Sequence, residues 1–223
     1  MNVITHAASQ PQLSDTQPGG NCAWLNARME AQPVDQARWE DLLELFGPSG
    51  GTRGCWCMAR RLPASIVAAN GGAENRAALE GFVQAGVPVG LIGYVDERPA
   101  VWCAVAPRTE YAAIVRSRVL PIDEPEDETI WAINCLFVKS GYRGQGLTSP
   151  MVDAAVEYAR NEGARIVEAY PVKAMPGDPG RGVLSTFLAA GFTPYAEDRT
   201  SAKRNVVVRR TLTGPSSTSL RRG

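Results

Sequence analysis

"INCLFVKSGYRGQGLTSPMVDAAVEYAR", residues 133–160, decides how the rest of the chain is read. Its apolar start predicts a strand, its glycines at 141, 144 and 146 break that strand, and a helical pattern follows over about 145–161. A strand that ends in a glycine loop and re-enters a helix builds an anion site. The first helical N–H groups lack intrahelical partners and carry the positive end of the helix dipole. Gly144 and Gly146 remove side chains that would hold a phosphate away, and Arg143 adds a fork-shaped cation. The hydroxyl of Thr148 or Ser149 is placed to donate to a phosphate oxygen. A diphosphate is the guest this chemistry suits.

Outward from this stretch the pattern alternates. "CAWLNARM" (22–29) reads as a first strand. "PVDQARWEDLLELFG" (33–47) places Trp39, Leu42, Leu43 and Phe46 at helical spacing, with Pro33 near the start. "GGTRGCWCMARRL" (50–62) is turn-rich, and "AENRAALEGFVQAG" (73–86) reads as a second helix closed by Gly86. "VGLIGYVDERPAVWCAVAP" (89–107) is a hairpin turning at Asp96 to Arg98. "RTEYAAIVRS" (108–117) reads as a short helix, followed by the acidic loop "PIDEPEDE" (121–128) and the long strand "TIWAINCLFVKS" (129–140). Beyond the quoted stretch come the strand "RIVEAYPV" (165–172), a loop (173–181), the helix "VLSTFLAAG" (183–191) and closing strands over 192–196 and 205–212.

This order predicts an α+β fold, a twisted mixed sheet of about six to seven strands flanked by about four helices. The polar ends, residues 1–20 and 213–223, read as disordered, leaving one domain over 21–212. Acidic and basic residues balance at 23 each, so no global field recruits nucleic acid or a membrane surface. There is no apolar run long enough to span a bilayer and no leader pattern, and the odd cysteine count fits a reducing cytoplasm.

A dinucleotide fingerprint requires glycine at position 149, where this chain has Ser149, and a lysine-ended P-loop is absent. Arg143-Gly144-Gln145-Gly146-Leu147-Thr148 instead resembles the R/Q-x-x-G-x-G/A coenzyme A loop of the GNAT N-acetyltransferase superfamily, departing from it at Thr148. The element order over 22–212 and the closing "FLAAGF" (187–192) are similar too. "GCWCMARRLP", "WCAVAPR" and "EAYPV" resemble phrases of one branch of that superfamily.

The resemblance implies an acyl-coenzyme A-dependent N-acyltransferase, with acetyl-coenzyme A as co-substrate and direct transfer to a primary amine in a ternary complex. A coenzyme A-binding module without turnover is the alternative. By the same resemblance, the main chain of Leu136, Phe137 and Val138 holds the pantetheine arm, and the thioester lies near Asn134 to Leu136. The superfamily's usual tyrosine proton donor is replaced by Phe187. The acceptor site is implied to lie by the early helices, where Trp56 stands beside Arg60 and Arg61. A small-molecule or peptide amine is the expected partner, with the protein a monomer or homodimer.

Several residues carry two readings. Glu168 interrupts an apolar strand and reads either as a general base or as the partner of a nearby arginine. Glu128 is a second base candidate in a solvated loop. Tyr170 is a proton donor or core packing; Asn134 positions a water or the acceptor, or satisfies a bulge. His6, the only histidine, lies in the polar start and is no base. Cys55, Cys57, Cys103 and Cys135 read as inert buried thiols, with a zinc site as the alternative and no metal expected.

Overall fold

The structure is a computed structural model that describes residues 29–172, 184–201 and 205–212. The ends at 1–20 and 213–223, and most of the strand expected over 22–29, lie outside the described residues. Seven strands form one sheet in the order β1-β2-β3-β4-β5-β7-β6. They are β1 (Glu30–Pro33), β2 (Leu91–Val95), β3 (Arg98–Pro107), β4 (Ile130–Val138), β5 (Ile166–Ala169), β6 (Thr193–Glu197) and β7 (Val206–Thr211). Only β4 and β5 pair in parallel; every other neighbouring pair is antiparallel. Five helices join them: α1 (Trp39–Phe46), α2 (Ala64–Gln84), α3 (Ala112–Val115), α4 (Thr148–Asn161) and α5 (Leu184–Ala189). The expected mixed architecture holds, with α3 a single turn.

Boundaries moved for local reasons. Pro33 ends a strand instead of starting a helix, because residues 30–33 pair with β2. The first helix begins later, behind Asp35, whose carboxylate accepts from the Arg38 amide at 3.0 Å. The second helix starts at Ala64, behind Pro63, and bends at Gly71 (φ 71°). The helix expected from about 145 begins at Thr148, since Gly144 and Gly146 take φ of 76° and 72°.

α4 shows how the pattern becomes packing. Leu147, Met151, Val152, Ala155, Val156 and Ala159 recur on one stripe and are buried against β3, β4 and β5. Burial of each larger side chain contributes about 1.5–3 kcal/mol. The opposite sheet face is covered at one end by α1, α2 and the 56–58 segment over Ile92, Trp102 and Ala104. At the other end Tyr111, Ile114 and Leu120 cover Ala106, Ala132 and Tyr170. No helix among the described residues is long and apolar enough to cross a membrane.

Candidate active site

The site begins where β4 loses a neighbour. Ile130 to Ile133 pair with Ile166 to Ala169 of β5, but β4 continues to Val138 along β3. The chain after Ala169 leaves with β7 instead: the Pro171 carbonyl accepts from Val206 at 3.1 Å, and Val172 bridges Asn205. Strands β4 and β5 therefore splay. The Lys139 amide donates to Ala100 of β3 at 2.9 Å, and strand alternation then turns the amides of Leu136 and Val138 to the free edge. The Val138 carbonyl sits on that edge too, where it accepts from Arg143 Nε at 3.0 Å.

Asn134 is the extra residue of a β-bulge: Ala104 pairs with Cys135 and Val105 with Ile133, skipping it. The bulge sends Asn134 and Cys135 toward the same loop. Asn134 Nδ2 donates to the Ala59 carbonyl at 2.7 Å, and Cys135 Sγ lies 3.6 Å from Cys57 Sγ. Among the described residues Asn134 Oδ1 is buried without a hydrogen-bond donor, an arrangement that a native interior rarely tolerates. A narrow opening in the wedge is lined by Ile133, Asn134, Leu136, Tyr170, Pro171 and Phe187, among others.

Past Val138 a short turn over Ser140–Tyr142 leads into the glycine loop. A Cβ added at Gly144 or Gly146 meets nothing within 4 Å, so both face open space. Their positive φ values are the reason glycine is needed there. Gln145 Nε2 donates to the Gly141 carbonyl at 3.2 Å, which braces the loop. No amide from Gly144 to Ser149 finds a partner among the described residues. Leu147 is buried beneath α4 and anchors the loop's exit, while Thr148 is half-buried and Ser149 exposed at the helix start. The loop is thus a fixed frame with its donors pointing outward.

Glu168 is fully buried, as is Arg108. Glu168 Oε1 accepts from Arg108 Nη1 at 2.9 Å and from Arg209 Nε at 2.7 Å; Oε2 accepts from the Tyr170 hydroxyl at 2.6 Å. Arg108 Nη2 also donates to the Asp123 and Glu124 carbonyls, both at 2.5 Å. Arg209 continues to the Asp123 carboxylate, which it holds down to about 2. Glu168 does not line the opening; Tyr170 does. Burial first, and the Glu168 charge second, push the Tyr170 hydroxyl well above its ordinary range. Glu128 is exposed in its loop.

Sequence reasoning missed Arg108 and Arg209. The available signal was a charge inside the apolar run "VVVRRT" (206–211), complementary to the glutamate inside "IVEA" (166–169). Register pairs Glu168 with Arg209.

The remaining candidates sit around this wedge. Phe187 is buried, lines the opening and meets Phe192 edge-on at 5.3 Å. Trp56 is buried against Phe46, with Arg76 stacked over it at 5.7 Å. It faces away from the opening, toward a shallow depression with Pro48, Gly72 and Glu80. Cys103 is buried on the α4 side of the sheet, apart from Cys57 and Cys135. Among the described residues no group of three or more His, Cys, Asp or Glu is arranged to hold a metal ion.

Comparison with known proteins bears on this geometry. The family model described as "Acetyltransferase (GNAT) family" matches residues 36–175, which contain β2 to β5 and the glycine loop. Comparison with curated proteins yields no match. Among solved structures, the chain is similar to an uncharacterized protein (bh2621) from Bacillus halodurans, with a TM-score of 0.53 and 16% identity over 84% of this chain and 86% of that one. A GNAT-family acetyltransferase from Streptococcus agalactiae 2603 gives a TM-score of 0.52 at 10% identity, covering 83% of this chain and 96% of that one. One from Listeria monocytogenes 4b F2365 gives 0.53 at 9%, covering 82% and 95%. At such identities the structures speak to the fold alone. With the splayed central strands, the glycine loop and the family model in agreement, the chain belongs to the acetyltransferase (GNAT) family.

Proposed function

We propose that this protein transfers an acetyl group from acetyl-coenzyme A to a primary amine, by direct attack while both are bound. The observation that carries the reading is the set of unpartnered amides from Gly144 to Ser149, contiguous with the free edge of β4. Those amides suit a diphosphate, with the glycines allowing close approach. The amides and carbonyls of Leu136 and Val138 suit an extended arm of alternating amides laid along the strand, with Phe137 bonded the other way, to β3. Arg143, already bound to the Val138 carbonyl, stands where arm and diphosphate meet.

Asn134 and Tyr170 take up the acceptor's nitrogen. The Tyr170 hydrogen is committed to Glu168, so Tyr170 offers the opening an oxygen lone pair. Asn134 Oδ1 offers another. Two acceptor oxygens on one opening fit the N–H groups of a neutral amine, orient its lone pair and bring it to the thioester carbonyl. The carbonyl oxygen, as charge builds on it, is within the reach of a free-edge strand amide. Glu168 acts through Tyr170 as a positioning residue, its oxygens taken by two guanidinium groups and the hydroxyl. Phe187 brings no proton; the thiolate leaves without one because free thiols ionise near pH 8.5, and the proton that the amine nitrogen sheds on acylation passes to solvent. Trp56 supports the loop over the acceptor side from within the core.

A second reading, a module that binds coenzyme A without turnover, draws on Phe187 and on the committed Tyr170 hydroxyl. Acetyl-coenzyme A with a panel of small and peptide amines, followed as free thiol release, separates the two. Amine-dependent thiol release supports the transferase. Coenzyme A-induced thermal stabilisation without thiol release, over the whole panel, favours the module.

A further inference from the structure

The proposed reaction uses no cysteine, and three of them are neighbours. Cys57 Sγ lies 3.6 Å from Cys135 Sγ. Cys55 stands two residues from Cys57 in the same turn, and the two thiols interact electrostatically, which brings three thiols into one neighbourhood with Cys57 between the others. The row bridges two separate parts of the chain: Cys55 and Cys57 belong to the turn-rich segment before α2, and Cys135 follows the β4 bulge. The Asn134–Ala59 hydrogen bond fixes the same two parts together. Cys57 takes a φ of 52°, and Arg53, Trp56 and Arg60 nearby also take positive φ, an uncommon backbone path that sets Cys57 against the strand.

The three thiols are unlike one another. Cys55 is half-buried, and its interaction with Cys57 brings its thiol down to about 6. Cys57 is almost wholly buried, and burial pushes its thiol up. A solvent-reachable thiolate is the member of such a row that meets an oxidant first. A thiol of low pKa is also the better leaving group in exchange. The arrangement therefore has a direction.

We propose that Cys55, Cys57 and Cys135 form a hydroperoxide-responsive site whose oxidised state carries a Cys57–Cys135 disulfide. The Cys55 thiolate attacks one peroxide oxygen; the O–O bond breaks, and with a proton the other oxygen leaves as water or an alcohol. The Cys57 sulfur then attacks the Cys55 sulfenic acid, expelling water and forming a Cys55–Cys57 bond. Cys135 attacks the Cys57 sulfur, and Cys55 departs as thiolate, ready for proton or peroxide. In sum, two thiols are oxidised to one disulfide and one hydrogen peroxide is reduced to two waters. The final bond staples the loop beside Asn134 to the strand, closing a chain loop between residues 78 apart. Such a link raises thermal stability by restricting the unfolded chain.

The site stands independently of the transferase reading, and its test does not require turnover. The full-length protein is treated with hydrogen peroxide, its remaining thiols are alkylated under denaturing conditions, and its peptides are identified by mass spectrometry. The proposal expects a Cys57–Cys135 linked peptide, an upward shift in Tm, and loss of both on adding a thiol reductant. Cys55→Ser is expected to slow formation of the link at least tenfold, and Cys135→Ser to trap the Cys55–Cys57 bond. Free, alkylatable Cys57 and Cys135 in wild-type protein whose Cys55 has been oxidised would overturn the site. Equal rates in wild type and Cys55→Ser would overturn the relay.

Discussion

The two halves of β4 are built from one apolar run and do different work. From Trp131 to Ile133 both edges of the strand are paired, to β3 and to β5, and its row continues through Glu168 into Arg209. Beyond Ile133 one edge pairs with β3 and the other meets no strand among the described residues, with only the Val138 carbonyl taken, by Arg143. The first half closes on a buried ion network; the second opens onto the glycine loop with its donors unspent. Hydrogen-bonding capacity that the fold satisfies becomes stability, and capacity that it withholds becomes a place for a ligand. The bulge at Asn134 marks the change.

Substitutions in the two halves should therefore fail in different ways. The largest effect belongs to the paired half. Glu168→Ala leaves the fully buried Arg108 guanidinium without its buried carboxylate and Arg209 with Asp123 alone, and should destabilise the fold by about 3–5 kcal/mol in denaturant unfolding. Glu168→Gln keeps the shape, and should lower the turnover of thioester far more than the affinity for coenzyme A. A Glu168→Ala protein as stable as wild type would erase the distinction between the halves.

Next comes the open half. Gly146→Trp fills the space above the loop and forces a bulky residue to φ 72°. Coenzyme A affinity, by calorimetry, should fall at least about 100-fold, or ~2.8 kcal/mol, while circular dichroism stays that of the folded protein. Wild-type affinity would refute the loop's assignment. At the junction, Asn134→Ala removes the unpaired oxygen and should slow turnover by about tenfold at saturating coenzyme A, ~1.4 kcal/mol of barrier. A drop in coenzyme A affinity with unchanged turnover would move Asn134 to the cofactor side.

The smallest effect is electrostatic. Asp123 ionises lower in the folded chain, at about 2, than in the unfolded chain, at about 3.9. Its stabilisation is present above about pH 4 and fades as pH falls toward 2. Asp123 is 40% exposed in its pair with Arg209, so screening keeps the contribution below about 1 kcal/mol. Asp123→Asn should flatten the acid limb of a stability–pH curve by that amount and leave neutral-pH binding of coenzyme A unchanged.

Much of the open half was legible in the sequence, because its information is local. Glycines at 144 and 146, Arg143 between strand and helix, and the stripe from Leu147 to Ala159 lie within a few turns of chain. The hairpin at Asp96 and Glu97 was readable for the same reason; both take the left-handed φ that such a turn requires. The paired half was not readable. Arg108 and Arg209 lie 60 and 41 residues from Glu168, and only register across β3, β4, β5 and β7 brings them together. The reading of Glu168 as an arginine's partner had the right chemistry but named no arginine. Trp56 is the converse case: an aromatic beside arginines suggested an acceptor surface, and the ring is buried against Phe46 while edging the depression with Arg76 and Glu80. The thiols at 55, 57, 103 and 135 were visible in the sequence as candidate neighbours, but only the fold sorts them, with Cys135 beside Cys57 and Cys103 on the other face.

Structure determination with coenzyme A bound tests the central claim most directly. The account predicts the diphosphate within hydrogen-bonding distance of amides between Gly144 and Ser149, and the pantetheine arm along the unpaired edge at Leu136 and Val138. A nucleotide bound elsewhere, with that edge and those amides making no contact to it, would contradict the account.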